Sequence, residues 1–232
     1  MDKRLLTIVQ HTENGKGVCD VGTDHGFIPI YLAKNGYPGN LIATDINYAP
    51  LMAGMENAKE AGFADRIEFL LCDGLEKCPQ ERIDTVIIAG MGGDTICGIL
   101  DRADWLSNHP FKLILQPMTK AEILRYWLIN NGFEIKTEEL SKDMGNFYQI
   151  FTAMSGTAAK YSDAELFTGK YERIKTSEFF PERLDKLINN YVRSIEGMKS
   201  SDKPNIILKR ELNRKILGEL EEMKEKLRGE KL

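Results

Sequence analysis

Residues 20–26 of this 232-residue chain read Asp-Val-Gly-Thr-Asp-His-Gly and continue directly from an apolar run that begins at Gly17. Gly22 and Gly26 therefore lie between a predicted strand and a predicted helix, where the chain must turn sharply and a ligand can approach the backbone. Asp24 lies in the middle of this turn, and its carboxylate would repel the pyrophosphate of a dinucleotide. The segment predicts an open α/β sheet whose ligand carries no phosphate.

Apolar runs alternate with amphipathic segments over the first 155 residues, which is typical of a largely parallel sheet. The predicted strands are 17–22, 41–45, 66–72, 83–89 and 111–116. The predicted helices are 27–35, 48–62, 93–102 and 119–131, with helix stops at Gly36, Gly62 and Gly132. Segments 132–140 and 147–154, joined by a polar loop at 141–146, predict an antiparallel hairpin that closes the sheet.

The chain changes character after residue 155 and becomes charged, with helical periodicity. Apolar residues step by threes and fours at Leu184, Leu187, Ile188, Tyr191, Ile195 and Met198, and again at Leu212, Ile216, Leu220, Met223 and Leu227. Residues 200–205 read as the turn between two helices. We therefore predict an α/β sheet domain at 1–155 and a coiled-coil-like helical hairpin at 156–232.

Charge and composition narrow the class of protein. The net charge is −4, but residues 1–159 hold 14 basic and 21 acidic residues whereas 160–232 hold 17 and 14, so the tail is the basic part. The N-terminus lacks a signal-peptide pattern and no segment has the roughly 20 apolar residues that span a bilayer, which predicts a cytoplasmic protein with no membrane partner. The four cysteines form no CxxC pair and the histidines, His11, His25 and His109, are scattered; we predict free core thiols and no metal site.

Acidic residues end three successive predicted strands. Asp20 and Asp24 flank the first turn, Asp45 closes the second strand with Asn47 close behind, and Asp73 follows the third. The ammonium and sulfonium of S-adenosylmethionine favour nearby carboxylates, the second acid suits the ribose hydroxyls, and the third suits the adenine amino group. The set predicts a site for S-adenosylmethionine.

Each of these residues also has a purely structural interpretation. Asp24 can cap the helix that starts near Gly26, Asp45 can cap the helix from Tyr48, and His25 can be a polar residue of the turn. These alternatives apply to the residues singly, whereas the repetition of acids at strand ends favours the ligand site.

The second half of the predicted site follows the fourth and fifth strands. Residues 89–93 read Ala-Gly-Met-Gly-Gly, which lets the backbone approach a bound molecule, and the Asn/Asp-Pro-Pro-aromatic motif of many amine-directed methyltransferases is absent. A ring nitrogen with an available lone pair is therefore the predicted target. Candidates for target contacts are Asp94, Gln116 and Tyr148, although Asp94 is equally a first-turn helix acid and Tyr148 equally a packing residue.

Six segments carry a resemblance to a known family, and the first is residues 20–26, which we call the donor turn. It is followed in order by Asp45-Ile46-Asn47, Asp73-Gly74-Leu75, Ala89-Gly90-Met91-Gly92-Gly93, Leu115-Gln116-Pro117 and Phe147-Tyr148. The chain thereby resembles the bacterial tRNA (adenine-22-N1)-methyltransferase family of class I S-adenosylmethionine-dependent enzymes over nearly its whole length. The resemblance implies that 1–155 form a Rossmann-like catalytic domain, which methylates N1 of an adenine in the D-loop region of tRNA. It also implies that the helical hairpin is a candidate tRNA-binding domain. It implies donor binding by Gly22, Asp24, His25, Asp45, Ile46, Asn47, Asp73, Gly74 and Gly90, and Asp20, Thr23 and Met91 complete the predicted donor site.

One departure from the family pattern is at Gly26-Phe27-Ile28, where a small residue followed by an aromatic, often tyrosine, is expected. This chain has no hydroxyl there. Binding tRNA requires cations against phosphates, and the tail offers Lys170, Arg173, Lys175, Arg183, Lys186, Arg193, Lys199, Lys203, Lys209, Arg210, Arg214 and Lys215. Taken singly, each is equally a solvated helix residue. The alternatives are a methyltransferase acting on another RNA, a protein or a small molecule, a nicotinamide oxidoreductase, and a donor-binding RNA-binding protein without turnover. We expect a monomer.

Overall fold

The computed structural model describes residues 3–107 and 110–230. Within them, a seven-stranded sheet has the strand order β3-β2-β1-β4-β5-β7-β6. The strands are β1 Gly17–Val21, β2 Asn40–Asp45, β3 Ile67–Leu71, β4 Thr85–Gly92, β5 Lys112–Thr119, β6 Phe133–Asp143 and β7 Asn146–Ser155. The helices are α1 Lys3–Gln10, α2 Phe27–Lys34, α3 Tyr48–Glu60, α4 Gly93–Asp101, α5 Ala121–Asn130, α6 Asp163–Thr168, α7 Tyr171–Ile174, α8 Phe180–Gly197 and α9 Pro204–Gly229.

The first five strands pair in parallel, and β7 pairs antiparallel with β5. Strands covered on both faces need apolar residues throughout, and β1 is accordingly buried at every position. The chain leaves β1 for β2 on one side and returns to pair β4 on its other side, which makes the gap between β1 and β4 the topological switch point. Ligands of open α/β sheets bind at this point, at the carboxyl ends of the strands. The Rossmann-like fold with a closing hairpin, predicted from the sequence, is confirmed.

The closing hairpin is longer than predicted. The polar segment 141–146 was expected to be a loop, but β6 continues to Asp143 and the turn consists of Met144 and Gly145, with φ of 46° and 79°. Two consecutive residues with positive φ are the pattern of a tight two-residue hairpin turn. Polar residues are compatible with strand structure here because β6 is the last strand of the sheet, where one edge meets solvent.

Helix α1 was not predicted from the sequence. Its Leu5, Ile8 and Val9 are buried in the same apolar cluster as residues of α2 and the central strands. Eight residues are few for a helical pattern, so this helix depends on packing of its apolar face against the sheet domain.

The described chain divides into two compact units. One consists of Met1–Thr137 with Ser141–Ala159, and the other of Lys160–Leu232 with Glu138–Leu140. In the second unit, α8 and α9 run antiparallel. Asp185 near the start of α8 pairs with Lys224 late in α9, and Ser194 near the end of α8 pairs with Asn213 earlier in α9. Phe180, Leu184 and Leu220 are buried between the helices, joined by Leu140 from β6.

The register of the helical hairpin differs from the prediction at one position. Leu212 was expected in the interface but is half exposed, and Asn213 is buried instead. Asn213 Nδ2 donates to Ser194 Oγ at 3.0 Å. A buried polar residue at such an interface favours one register of two helices over shifted ones.

Candidate active site

The turn after β1 is held by backbone hydrogen bonds to β2. The amides of Gly22 and Thr23 both donate to the carbonyl oxygen of Thr44, at 2.8 and 2.9 Å. Gly22, Asp24 and Gly26 have φ of 69°, 53° and 71°. Glycine adopts this conformation readily whereas aspartate does so at a cost, and backbone strain of this kind is concentrated at functional sites.

Asp45 connects this turn to the start of α3. Its Oδ2 accepts from the Asp24 amide at 3.2 Å and its Oδ1 from the Asn47 amide at 2.9 Å. The N-cap positions of α2 and α3 are Gly26 and Asn47, so the two acids do not occupy the capping positions that the structural alternative gave them. An ionised carboxylate has about four lone pairs, and Asp45 therefore keeps acceptor capacity for a ligand.

Asp20 lies behind the turn and is almost fully buried. Its pKa is raised to about 6, mainly by burial and in smaller part by the charge of Asp45, while a hydrogen bond from Thr23 Oγ1 to Asp20 Oδ2 at 2.6 Å opposes the shift. Asp20 thus supports Thr23 from below. A positive charge above the turn would favour its ionised form.

A cavity of about 520 Å³ opens at the switch point between β1 and β4. Ligand pockets for molecules of cofactor size have volumes of several hundred Å³. Nine of the predicted donor residues line it, namely Gly22, Asp24, Asp45, Ile46, Asn47, Asp73, Gly74, Gly90 and Met91. The other predicted donor residues, Asp20, Thr23 and His25, belong to the turn but not to this lining.

His25 lies on the exposed side of the turn. Its Nε2 is 3.7 Å from Asp24 Oδ2, and its ring centroid is 5.4 Å from that of Phe27. Both polar side chains of this pair are about half exposed. The geometry is compatible with the interpretation of His25 as a polar turn residue.

Arg102, which was not predicted from the sequence, lies in the cavity beside the end of β3. Arg102 Nη2 lies 2.7 Å from Asp73 Oδ1, and both residues line the cavity. Gly74 has a φ of 55°, and its carbonyl oxygen accepts from Thr44 Oγ1 at 3.1 Å. Arg102 follows α4, 29 positions after its partner, so no local spacing reveals the contact.

The fourth strand is irregular where it reaches the cavity. Its pairing with β5 shifts register around Met91, and Gly90 has a φ of 80°. The Gly90 amide donates to Gln116 Oε1 at 3.2 Å. A Cβ built on Gly22 would lie 2.0 Å from Met91 Cε, so the methionine side chain lies directly against the donor turn. Strand irregularities of this kind commonly redirect groups next to active sites.

Gln116 and Tyr148 were predicted to contact the target. Gln116 is fully buried, and Arg4 Nη1 donates to its Oε1 at 2.8 Å while its Nε2 donates to the Pro117 carbonyl at 3.0 Å. Tyr148 is half-buried, with the Arg4 guanidinium carbon 5.8 Å from its ring centroid. Sequence reasoning did not single out Arg4, which lies 112 positions before Gln116.

Asp94 lies in the first turn of α4 and forms an ion pair with Lys120, Oδ2 to Nζ, at 2.5 Å. The hydrogen bond from Lys120 lowers the pKa of Asp94. A carboxylate with a lowered pKa is a weak proton acceptor, so this position suits a hydrogen-bond acceptor better than a general base. Lys120 has a φ of 56°, rare for a residue with a side chain.

Gly93 is required where β4 meets α4. A Cβ built on it would lie 2.2 Å from the Lys120 carbonyl oxygen, which is backbone and cannot move aside cheaply. Gly93→Ala is expected to lower the free energy of unfolding by about 2–3 kcal/mol, as overpacking does, measured by urea denaturation. Gly98→Ala in the same helix is the control, because its Cβ would meet nothing closer than Arg102 Nη1 at 3.8 Å. Equal stability of the two variants would contradict the predicted clash.

Within residues 3–107 and 110–230, no group of three or more His, Cys, Asp or Glu side chains is arranged to hold a metal ion; His109 lies outside these ranges. All four cysteines are buried free thiols. Among the described helices, none combines the length and apolar character needed to cross a membrane.

Comparison with known proteins agrees with this geometry. A protein family described as "Methyltransferase domain" matches residues 1–151. The tRNA (adenine(22)-N(1))-methyltransferase of Bacillus subtilis is 30% identical over 170 residues, which are 73% of this chain and 71% of the relative. A solved structure from Streptococcus agalactiae, of a protein in the NADB-Rossmann superfamily, has a TM-score of 0.85 and 27% identity over 97% of each chain. One from Streptococcus pneumoniae, in complex with S-adenosyl-L-methionine, has a TM-score of 0.78 and 28% identity over 94% of this chain and 99% of that one.

The fold and the matched domain define the chain as a class I methyltransferase. It belongs to the bacterial tRNA (adenine(22)-N(1))-methyltransferase family. The resemblance predicted from the sequence motifs is thereby confirmed.

Proposed function

We propose that this chain transfers the methyl group of S-adenosylmethionine to N1 of adenine 22 in tRNA. The observation that carries the proposal is the cavity at the switch point, where Asp24, Asp45 and Asp73 from three successive strand ends line one volume. The Bacillus subtilis relative performs the reaction that its name states. The Streptococcus pneumoniae relative binds the same donor.

The donor is assigned to the cavity by matching its chemistry to the lining. Asp45 would accept hydrogen bonds from the ribose hydroxyls with the lone pairs that the Asp24 and Asn47 amides leave available. Asp24, with Asp20 behind it, supplies negative potential for the ammonium and sulfonium. Asp73 and the backbone of Gly74 lie at the next strand end, where the adenine ring would be recognised. These residues fit the donor because they combine acids with left-handed glycines that leave room for it.

The reaction requires positioning more than acid–base chemistry. S-adenosylmethionine, when bound, supplies a methyl group on a positively charged sulfur. The lone pair of adenine N1 accepts this methyl group in an in-line displacement, so the bond to sulfur breaks as the bond to N1 forms and the positive charge moves to the adenine. Because N1 carries no proton to remove, a general base is unnecessary, and alignment with electrostatics can supply the rate.

The target side of the site is formed by the ends of β4, β5 and β7. Asp94, held by Lys120, can accept a hydrogen bond from the adenine amino group. Tyr148 can stack on the base. Gln116 is buried and supports the site indirectly, because its side-chain oxygen accepts a hydrogen bond from the Gly90 amide.

We further propose that residues 156–232 form the tRNA-binding domain and that the enzyme is a cytoplasmic monomer. Arg193 on α8 and Lys209 and Arg214 on α9 are exposed. Alanine at all three is expected to weaken tRNA binding about tenfold near 0.1 M salt and to reduce the slope of log K against log salt by about 2 to 3, since each phosphate contact contributes about 0.9. Fluorescence anisotropy over a salt series measures both quantities.

The matched control for this triple variant replaces Lys34, Lys59 and Lys77 with alanine, which removes the same charge from exposed positions in the other unit. It is expected to leave the salt slope within about 1 of the wild-type value. If the control lost as much tRNA affinity as the C-terminal triple variant, the tRNA-binding surface would lie on the sheet domain instead.

The experiment that tests the proposed function uses the full chain, isotope-labelled methyl donor and unmodified bulk tRNA, followed by digestion to nucleosides. Label in 1-methyladenosine is the expected result. Label in another nucleoside, or only in a protein or small molecule supplied in parallel, would assign a different methyltransferase activity. Donor binding by calorimetry without any transfer would support the alternative of a non-catalytic RNA-binding protein.

A further inference from the structure

Arg4 of α1 contacts the target side of the active site through three groups within the sheet domain. Its Nη1 donates to Gln116 Oε1 at 2.8 Å, and its guanidinium carbon lies 5.8 Å from the Tyr148 ring centroid. A Cβ built on Gly90 would lie 3.8 Å from the same nitrogen. Through the Arg4 side chain, α1 therefore contacts the junction of β4, β5 and β7.

Gln116 transmits this contact to the cavity. Its Oε1 accepts from both Arg4 and the Gly90 amide, while its Nε2 donates to the Pro117 carbonyl and approaches Met118 Sδ at 3.6 Å. Since the side chain is fully buried, its amide orientation is set by these protein groups. Arg4 can only donate, so it holds the oxygen of Gln116, and not the nitrogen, toward Gly90.

Gly90 in turn positions the residue that faces the donor turn. It has positive φ at the point where the register of β4 and β5 shifts. Met91 follows, with its Cε in contact with Gly22. The contacts thus run from Arg4 through Gln116 and Gly90 to Met91, and they end at the donor turn.

We infer that Arg4 is a positioning residue for methyl transfer: by orienting Gln116 it holds the Gly90–Met91 backbone, and by lying over Tyr148 it holds that ring beside the target base. The inference rests on the proposed function. The planar guanidinium supplies a directed hydrogen bond and a flat face together, which a lysine ammonium does not. Arg4 acts through these groups on the alignment of donor and target.

The test compares Arg4→Ala and Arg4→Lys with Lys3→Ala. Lys3 is the matched control, because it precedes Arg4 in the same helix, has the same charge and is exposed. Both Arg4 variants are expected to lower the single-turnover rate of methyl transfer about 10- to 100-fold, the effect of a small misalignment. tRNA affinity by anisotropy should stay within about threefold of wild type, because no phosphate contact is removed. Donor affinity by calorimetry should fall by less than the rate does, because Arg4 reaches the donor turn only through Gln116 and Gly90. Lys3→Ala should match wild type in all three.

A double-mutant cycle tests whether Arg4 acts through Gln116. The rate loss caused by Arg4→Ala should be clearly smaller in the Gln116→Ala background than in the wild type, since coupled residues are not additive and only the contact of Arg4 with Tyr148 is then left to lose. If the rate losses of the two single variants multiply in the double variant, Arg4 acts independently of Gln116. An unchanged rate in Arg4→Ala would overturn the inference. A loss of tRNA affinity that Arg4→Ala shares with Lys3→Ala would overturn it as well. A melting temperature near that of wild type identifies variants that remain folded; should Arg4→Ala fail this criterion, Arg4→Lys provides the rate comparison.

Failure of this inference is distinguishable from failure of the proposed function. If wild-type protein leaves tRNA adenine unmethylated, the proposed function is wrong and the inference with it. If wild-type protein methylates adenine and the Arg4 variants do so at the same rate, the proposed function stands and the positioning role is wrong.

Discussion

Asp45→Ala is expected to weaken binding of S-adenosylmethionine by about 100- to 10,000-fold. The carboxylate would form two hydrogen bonds with the ribose, each worth about 1.5–3 kcal/mol when one partner is charged, and tenfold in affinity corresponds to 1.4 kcal/mol. Asp45 also accepts from the Asp24 and Asn47 amides, so its removal loosens the donor turn and acts in the same direction. Isothermal titration calorimetry with the full chain measures the effect.

The matched control is Glu60→Ala, which removes one exposed carboxylate from the end of α3. Its donor affinity should equal that of the wild type, because long-range effects of an exposed charge are screened by salt. If Asp45→Ala melts cooperatively and its donor affinity is within threefold of the wild-type value, Asp45 does not bind the donor.

Asp20→Asn is expected to stabilise the donor-free protein at neutral pH. The stabilisation should develop as the pH rises from about 4 to about 6. The native pKa of Asp20 is raised from 3.8 to about 6 by burial. Between these values the unfolded chain has released the proton that the native protein still holds, so wild-type stability falls as pH rises from about 4 to 6. An asparagine has no such proton, and its oxygen can still accept from Thr23.

The difference in free energy of unfolding, variant minus wild type, should therefore grow by on the order of 3 kcal/mol between pH 4 and pH 7, since each pKa unit corresponds to 1.36 kcal/mol. Urea denaturation at several pH values measures it, and contributions from unchanged groups cancel in the difference. Asp65→Asn, at an exposed position, should show no such growth. A pH-independent difference for Asp20→Asn would show that Asp20 is ionised throughout. A stability gain at a residue behind the donor turn would be an instance of stability given up for binding.

The cavity at the switch point was predictable from the sequence because the residues that line it recur at strand ends. Gly22, Asp45 and Asp73 each follow an apolar run, and parallel strands bring their carboxyl ends to one edge. Nine of the predicted donor residues line one cavity for this reason. The position of Asp20 behind the turn is a matter of side-chain alternation along β1, which a fully buried strand does not reveal.

The contacts around the residues proposed for the target side were less predictable because they join distant segments. Arg4 meets Gln116 across 112 positions and Lys120 meets Asp94 across 26, and side-chain pairing at that range leaves no local pattern. The same limit applies to α1, whose eight residues form a helix through packing. In the helical unit, periodicity identified both long helices, yet the choice of Asn213 over Leu212 for the interface depends on how the two helices pack.

The most direct test of the central claim is to locate the methyl group that the enzyme adds to tRNA. An unmodified tRNA transcript with adenine at position 22 is incubated with the full chain and S-adenosylmethionine, and ribonuclease fragments are sequenced by mass spectrometry. We predict a single added methyl group on adenine 22, identified as 1-methyladenosine by comparison with a standard, and its absence with Asp45→Ala enzyme at a donor concentration that saturates the wild type. A methyl group on N6, on another residue, or absent from the wild-type reaction would contradict the account.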